Sequence, residues 1–480
     1  MAAEIPENPT DEGDLKRALG PLHLISLGIG CIIGAGIFVL TGHAAAGYAG
    51  PGVVISFAIA GLGCLFAGLC YSEFASMIPV AGSAYTYTYA TLGRFLAWII
   101  GWNLVLEYLA AASTVAVGWS GYFARLLAHV GISIPAAIAS APLAGSGFAN
   151  LEATGSIMNL PAVLLVGFIT WILIIGVKTS ANFNNTMVVI KLSIVLLVIF
   201  ACFAYIVPAN HTPFIPPNTG ETGHFGWTGV FRATGVIFFA YIGFDAVSVA
   251  AQEAKNPQRD IPLGMLGSLL ICTALYMLMS YVLTGIAPYQ SLNVPYPVSE
   301  AVEHLPGTRW LTQIVNVGAV VGLSSVVLVL LLAQSRVFYA MSRDGLVPKL
   351  FSDIHPQFRT PFKGNIATGI FAALLAGALP IDILGELVSI GTLTAFAIVC
   401  IGVMVLRIRA PNARRPFRTP VVWFTAPAGV GMCLFMIWFL PPDTWIRFVV
   451  WTVIGLAIYF FYSVKHAHPP RYSIQALPAE

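Results

Sequence analysis

The sequence predicts an all-α integral membrane protein, and three observations support this fold class. Of its 480 residues, 58% are apolar and only 9% are charged. The mean hydropathy is +0.85. A soluble domain carries about 25% charged residues, because water must wet its surface. The apolar residues are also gathered into runs of roughly 20, the length at which a helix crosses the hydrocarbon core of a bilayer.

Twelve apolar runs are candidates for transmembrane helices. They begin near residues 22, 51, 95, 159, 185, 230, 263, 310, 365, 384, 421 and 444. The ninth run, residues 365–379, is the shortest. The third and eighth exceed 30 residues, so we expect those two helices to tilt or to project beyond the bilayer.

The distribution of basic residues predicts the orientation of these helices. If both ends and every even-numbered loop lie on one side, that side holds 18 Lys and Arg residues and the other side holds four. Under the positive-inside rule both termini then lie in the cytoplasm, and the chain lies in the cell inner (plasma) membrane. The first twenty residues are polar and acid-rich and lack the pattern of a signal peptide.

Several classes of function are excluded at this stage. A net charge of +3 indicates no nucleic-acid partner. The seven cysteines lie in apolar runs without CxxC spacing, so no disulfide, metal or cofactor is expected. No loop is long enough for a soluble domain, and the HExxH, GxxxxGK[ST] and GxSxG patterns do not occur. We therefore expect a protein that is not an enzyme.

Two of the predicted spans carry residues that weaken a helix. The first span has four glycines within residues 28–36, each of which lowers helix stability by about 1 kcal/mol relative to alanine. The sixth has a glycine and then an acid at mid-depth, Gly243 and Asp245. These spans occupy corresponding positions in two five-helix halves, a pattern typical of transporter sites built from inverted repeats. For the first span alone, close helix packing through Gly30 and Gly34 is an equal alternative.

A broken helix has a direct chemical use inside a membrane. The unwound turn exposes N–H groups at the start of one half-helix, where the helix dipole favours a carboxylate. It also exposes carbonyl groups at the end of the other half, which accept hydrogen bonds from an ammonium group. A zwitterionic amino acid requires both kinds of group.

Six motifs resemble the amino acid–polyamine–organocation superfamily and, within it, the bacterial relatives of the cationic amino acid transporters. The resemblance covers about residues 15–465. Its motifs are Gly34–Phe38, Tyr71–Pro79 with Gly82–Tyr85, Gly101–Tyr108, Phe239–Asp245, Glu253–Pro262 and Arg336–Gly345. One departure is Ala35, where related sequences often carry a hydroxyl residue, so a side-chain bond to the substrate is lost there.

The resemblance implies a LeuT-like fold of 12 transmembrane helices, with a five-plus-five inverted repeat, discontinuous helices 1 and 6, and alternating access. The expected divisions are a cytoplasmic tail (1–20), a first repeat of helices 1–5 (21–210), a second repeat of helices 6–10 (211–410), helices 11–12 (411–465) and a second cytoplasmic tail (466–480). The implied substrate-binding residues are Ala35 and Gly36, whose N–H groups meet the carboxylate, Gly34 at the turn, and Ile32, Phe239, Ala240 and Ile242, whose carbonyls meet the amino group.

Lys191 lies near the middle of the fifth predicted span. A lysine at helix centre costs about 2.5–3.5 kcal/mol on insertion scales, so it needs a partner or a function. Burial disfavours its charged form, which suits a group that carries a coupling proton. Ser324, Ser325 and a carbonyl of the broken first span are the candidate acceptors for its ammonium group. A permanent structural pairing of the lysine is the alternative.

Other polar residues in or near the spans also have expected roles. For Glu107 three roles are open: it stabilises the unwound part of span six, it helps proton transfer, or it faces a cationic side chain of the substrate. Asp245 is expected to cap the second half of span six. The remaining expectations are a loop salt bridge for Glu73, a loop-holding role for Glu253 and Arg259, solvated carboxylates at Asp382 and Glu386, and loop positions at the interface for Tyr85, Tyr87 and Tyr89.

The function expected from these residues is proton-coupled symport of small neutral L-amino acids such as alanine. The partners are the L-amino acid, the proton and the lipid bilayer, and the sequence gives no sign either way of a small membrane subunit. The alternatives are a transporter of arginine or lysine, or an amino-acid exchanger. A channel is a remote alternative, because no repeated pore-lining motif is present.

Overall fold

The computed structural model describes residues 19–77, 83–145, 151–176, 181–248 and 254–468, and most of these residues are helical. Glu253, together with residues 78–82 of the second motif and most of both predicted tails, lies outside the described residues.

Sixteen α-helices are found in the described residues, and two of them, α2 and α16, are single turns that continue a neighbouring helical segment. Their bounds are α1 Pro21–Ile32, α2 Thr41–Ala44, α3 Val53–Met77, α4 Ser83–Thr91, α5 Arg94–His129, α6 Leu160–Ile175, α7 Ala181–Phe203, α8 Gly226–Ile237, α9 Pro257–Ile286, α10 Pro297–Glu303, α11 Arg309–Arg343, α12 Phe362–Ala378, α13 Ile381–Arg409, α14 Val422–Trp438, α15 Pro442–Ile458 and α16 Val464–His466. A two-stranded antiparallel hairpin, β1 Leu143–Ala144 and β2 Glu152–Ala153, lies between α5 and α6.

The apolar helices fit a protein that crosses a membrane several times. In the described residues, eight helical segments are long and apolar enough to cross a bilayer, and four further apolar helices, α1, α6, α12 and α14, are shorter. Large apolar side chains are exposed along these helices, for example Leu164, Phe200, Phe371, Trp438 and Phe461. Such a surface is unstable in water and stable against lipid.

The longest helices form the centre of the bundle. α5 has 36 residues and α11 has 35, and they pack against each other along their length. α13 and α12 pack on α5, while α9 packs on α3 and α1. The long third and eighth runs of the sequence therefore correspond to the two helices with the most extensive mutual contact.

A buried ion cluster fastens residues 410–421 to the end of α3. The carboxylate of Glu73 is fully buried and accepts hydrogen bonds from Arg407 and from the N–H of Thr419, each at 2.8 Å. Arg415 lies 3.2 Å from its second oxygen and donates to four backbone carbonyls. The expected salt bridge of Glu73 is thus present and anchors the loop.

Two expectations about the polar residues are wrong. Tyr85, Tyr87 and Tyr89 are on a helix, α4, and are buried. Tyr85 donates a hydrogen bond of 2.7 Å to Asp344. Glu386 is not solvated: it is 1% exposed, accepts from the Thr444 hydroxyl at 2.6 Å and lies 3.3 Å from Arg447. In both cases a partner distant in sequence covers a group that would be wet in an isolated helix.

Glu73→Gln is expected to destabilise the protein strongly. The substitution keeps the shape of the side chain but leaves Arg415 buried without its counter-charge, which typically costs about 3–5 kcal/mol. Thermal unfolding of the purified protein in detergent measures the loss. Asp353→Asn is the matched control, because Asp353 pairs with Lys363 at the surface, where such a pair contributes at most about 1 kcal/mol. Equal melting shifts for the two variants would contradict the anchoring role of Glu73.

Candidate functional site

The first helix is interrupted at the predicted glycine-rich sequence. α1 ends at Ile32, and Ile33 has an extended backbone, with φ −71° and ψ 98°. Helical structure resumes as a π-helical segment at Gly36–Leu40, followed by α2 and a second π-helical segment at Ala45–Ala49. We call residues 33–35 the first break. The first N–H groups after it have no acceptor within their own helix, as at any helix N-terminus.

A second interruption lies between α8 and α9. α8 ends at Ile237 and tightens into a 3₁₀ turn at Phe238–Tyr241. Ile242 is then extended, with ψ 137°, and Gly243 has φ +111°, a conformation that only glycine adopts readily. We call residues 238–244 the second break.

The residues on either side of the first break touch the second break at two glycines. Gly36 lies so close to Ala240 that a side-chain carbon at position 36 would collide with the backbone of residue 240. A carbon at position 243 would lie 2.8 Å from the Cβ of Cys31. The close approach of the two interrupted helices therefore requires glycine at both positions, and at Gly243 the positive φ requires it as well.

Tyr276 of α9 joins the two breaks through its hydroxyl group. The phenolic oxygen is 2.6 Å from the carbonyl oxygen of Ile32 and 2.8 Å from that of Ala240. Its ring is fully buried and packs against Tyr241 and Phe57. One side chain thus supplies a donor to carbonyl groups released by both interruptions.

Lys191 of α7 donates hydrogen bonds to two further carbonyl groups, one just before the first break and one within it. Its ammonium nitrogen donates to Gly30 at 2.9 Å and to Ile33 at 3.3 Å, and the side chain is 2% exposed. The lysine stem lies against Gly322 of α11, where a side-chain carbon would be 3.2 Å from its Cγ. Lys191 therefore connects the end of α1 to α11, and its acceptor is the carbonyl group expected from the broken first span.

Ser324 and Ser325 are not the acceptors of Lys191 in this conformation. The Ser325 hydroxyl donates to the carbonyl of Gly322, one turn back on α11, at 2.8 Å. Ser324 donates to Val320 and lines an apolar groove of about 520 Å³ with Trp119 and Leu164. In the described residues the lysine stem thus contacts Gly322, and its ammonium group donates to backbone carbonyls and to neither serine.

A small cavity lies where the first break meets the second. It has a volume of about 10 Å³, close to the space that one water molecule needs. Its walls include six of the residues predicted to bind substrate, namely Ile32, Gly34, Ala35, Gly36, Phe239 and Ile242, and five that were not predicted, namely Cys31, Ala111, Val115, Val326 and Leu330. Ala240 lies behind Gly36, outside the walls of the cavity.

Glu107 lies one helical turn before Ala111 on the same face of α5. It is fully buried, and neither of its carboxylate oxygens has a hydrogen-bond partner among the described residues. Asp245, which directly follows the second break, and Thr392 of α13 lie close to it. The hydroxyl of Tyr108 donates to Asp245 at 2.8 Å. Two acids therefore lie beside the cavity, with carboxylate oxygens that remain free to accept further hydrogen bonds.

The residues that sequence reasoning missed come from α5, α9 and α11. Tyr276 has a polar group in an apolar run, and that was a usable signal, because a buried phenol normally needs an acceptor. Ala111, Val115, Val326 and Leu330 carry no such signal. Small apolar residues are ordinary in any transmembrane helix, and only the fold shows which of them line the cavity.

Comparison with known proteins identifies similar sequences over nearly the whole chain. The family profile described as "Amino acid permease" matches residues 19–463. A methylthioribose transporter of Bacillus subtilis is 47% identical over 94% of this chain and 95% of its own length. A branched-chain amino acid permease of the same organism is 48% identical over 95% of both chains. The vacuolar cationic amino acid transporter 4 of Arabidopsis thaliana is 38% identical over 83% of this chain and 64% of its own.

Tyr276→Phe is expected to lower the stability of the folded protein measurably. Removing the hydroxyl leaves the carbonyls of Ile32 and Ala240 without this donor in a dry interior, which costs about 1–3 kcal/mol. Tyr281→Phe on the same helix is the control, since its ring is 37% exposed and we expect little change. Thermal unfolding of both purified variants tests the prediction, and an unchanged melting temperature for Tyr276→Phe would refute it.

Proposed function

Because this chain belongs to the amino acid permease family, we propose that it transports small neutral L-amino acids, with alanine the preferred example, in symport with protons. The observation that carries the proposal is the cavity at the contact between the two breaks. Its walls combine the N–H end of one half-helix with the carbonyl end of another. This pairing suits a zwitterion, whose carboxylate and ammonium groups need opposite partners.

We assign the carboxylate of the substrate to the N–H groups of Ala35 and Gly36, with Gly34 forming the turn. The ammonium group is assigned to the carbonyls of Ile32, Phe239, Ala240 and Ile242. The Tyr276 hydroxyl already contacts the carbonyls of residues 32 and 240. Each carbonyl has two lone pairs, so an ammonium group can share them. Tyr276 then holds these acceptors in place for the substrate.

The cavity walls favour a small neutral side chain. Beyond the two breaks they consist of Ala111 and Val115 of α5 and Val326 and Leu330 of α11, all apolar. Such walls offer no hydrogen bond to a charged or hydroxylated side chain, and burying an unpaired polar group there is costly. The relative named as a branched-chain amino acid permease is consistent with an apolar side chain.

Transport requires the cavity to enlarge and to open alternately to each side. At about 10 Å³ it has no room for an amino acid. The breaks provide the hinges, since each separates two helical segments that can move independently. We propose twelve spans in two inverted repeats, residues 21–210 and 211–410, followed by two further helices at 411–465. Both termini lie in the cytoplasm in this arrangement.

Lys191 couples this movement to a proton in the proposed mechanism. The charged ammonium makes strong hydrogen bonds to the carbonyls of Gly30 and Ile33, and a neutral amine makes weaker ones. Gain or loss of one proton therefore changes how firmly the first break is held against α7 and α11. The first break and α11 both line the cavity, so substrate binding and proton binding act on the same segment.

The first test is uptake of radiolabelled L-alanine into proteoliposomes with and without an inward proton gradient. We expect uptake above equilibrium only with the gradient. Lys191→Ala is expected to abolish this accumulation while it retains exchange of internal for external alanine, since exchange needs no net proton movement. Lys363→Ala, a surface lysine, is the control. Full gradient-driven accumulation by the Lys191 variant would rule out the lysine as the proton carrier.

A second candidate function, transport or exchange of cationic amino acids, is favoured by one observation. Glu107 presents unpaired carboxylate oxygens beside Asp245, one helical turn from the cavity wall. An unpaired buried carboxylate is costly unless a cation or a proton joins it. A guanidinium or ammonium group at the end of a long side chain would supply that cation. The named relatives include cationic amino acid transporters.

Competition for alanine uptake separates the two candidates. We expect unlabelled alanine to compete at least ten-fold better than arginine, because apolar walls discriminate against a charge by roughly that factor or more. Glu107→Gln is then expected to leave this ranking unchanged. If arginine competes better, and Glu107→Gln removes its effect but not that of alanine, the cationic function is correct and Glu107 binds the side chain.

A further inference from the structure

The cavity is closed on one side by contacts of the segment that follows the first break. We call this the outer side, because Gly36–Ala49 runs toward the membrane face that carries few basic residues. The carbonyl of Phe38 accepts a hydrogen bond of 2.6 Å from Tyr122 of α5. Val39 packs against Gly118 of the same helix. An amino acid can enter from this side only if the segment moves away from α5 and from its further neighbours α8, α10 and α13.

One pair of ionisable side chains crosses this closure. His43 lies in α2, and Asp382 lies in the first turn of α13; their Nδ1 and Oδ1 atoms are 3.3 Å apart. The side chains are 13% and 31% exposed, so both are partly accessible to water. Asp382, which was expected to be solvated, is partly exposed and also contacts His43 of the segment after the first break.

The other charged groups near the pair contact one another or an aromatic ring. Glu386, one turn further along α13, accepts from Thr444 and lies 3.3 Å from Arg447 of α15. Arg232 of α8 lies over the ring of Tyr48, 4.8 Å from its centroid. The backbone of Val294 approaches the imidazole from the loop before α10. His43 is therefore the titratable partner that Asp382 meets in this closure.

We propose that His43 and Asp382 form a proton-dependent latch that holds the outer side of the cavity closed. A histidine gains or loses its proton between about pH 5 and 8, so external acid creates an ion pair and external alkali reduces it to an ordinary hydrogen bond. The remaining contacts of the closure, Tyr122 to Phe38 and Val39 to Gly118, do not change over that range. Acid outside thus favours the closed form, and alkali favours opening.

The latch concerns access to the cavity of the proposed transporter, but not the identity of the substrate. It also differs from the proposed coupling site. Lys191 holds the end of α1 before the first break, whereas His43 lies on the segment after it, on the side toward the outside. Separate groups would then respond to the proton that accompanies transport and to the pH of the external medium.

Cys31 gives a direct measure of opening, because its side chain lines the cavity. The experiment is the rate of labelling by a membrane-impermeant methanethiosulfonate reagent added to intact cells that express the full chain. Cys31→Ala identifies the signal from this cysteine, since the other six cysteines are also buried. The rate of each variant is divided by that of the wild type at the same pH, which cancels the effect of pH on the thiol itself.

His43→Gln is expected to label faster than the wild type by about two-fold to five-fold at pH 5.5, and equally fast at pH 8, as loss of a partly exposed ion pair predicts. Asp382→Asn should reproduce this result, and the double variant should add nothing further. The exchanged pair, His43→Asp with Asp382→His, should restore slow labelling at pH 5.5. His304→Gln, an exposed histidine at the end of α10, is the control and should behave as the wild type at both pH values.

Two results would overturn the latch. If the ratio for His43→Gln is the same at pH 5.5 and pH 8, the pair does not respond to protons, while alanine transport stays intact as a proposal. If Cys31 is not labelled from outside in any variant, the cavity does not open on this side. The second result would contradict the latch and alternating access together, whereas the first contradicts the latch alone.

Discussion

The structure depends on the contact between two interrupted helices inside a medium that offers the backbone no hydrogen bonds. Each interruption releases carbonyl and N–H groups that water would satisfy at a protein surface. Here Tyr276 and Lys191 supply the donors for four of these carbonyls, at residues 30, 32, 33 and 240. The breaks are stable because side chains on helices remote in sequence donate hydrogen bonds to the released carbonyls. The cavity in turn depends on the breaks, since they form part of its walls.

This dependence explains why the donors come from different helices. Tyr276 belongs to α9, which packs along α1 and α3, so it holds the two breaks to each other. Lys191 belongs to α7, and its stem lies against Gly322 of α11. Tyr276 thus connects the first break to the second, and Lys191 connects it to α11, which forms the opposite wall of the cavity. Loss of either connection alters the geometry of the whole site.

The sequence predicts the breaks well and their surroundings poorly. Glycines 34, 36 and 243 disturb helices locally, so their effect is visible without a fold. The hydroxyl of Tyr276 reaches a carbonyl 244 residues away, and the partner of Glu386 lies 58 residues further along the chain; both depend on packing. Ser324 shows the limit most clearly. It is two residues from Gly322, which contacts Lys191, but two residues along a helix is about 200°, so the serine points to the far side.

The division between breaks and walls also bears on specificity. The breaks present backbone groups, which substitution changes little, and in the proposed function these groups bind the constant part of an amino acid. The walls of α5 and α11 present side chains, and those four residues carry no hydrogen bonds that the fold requires. Substitutions at Ala111, Val115, Val326 or Leu330 can therefore alter what the cavity holds without disturbing how the helices are interrupted.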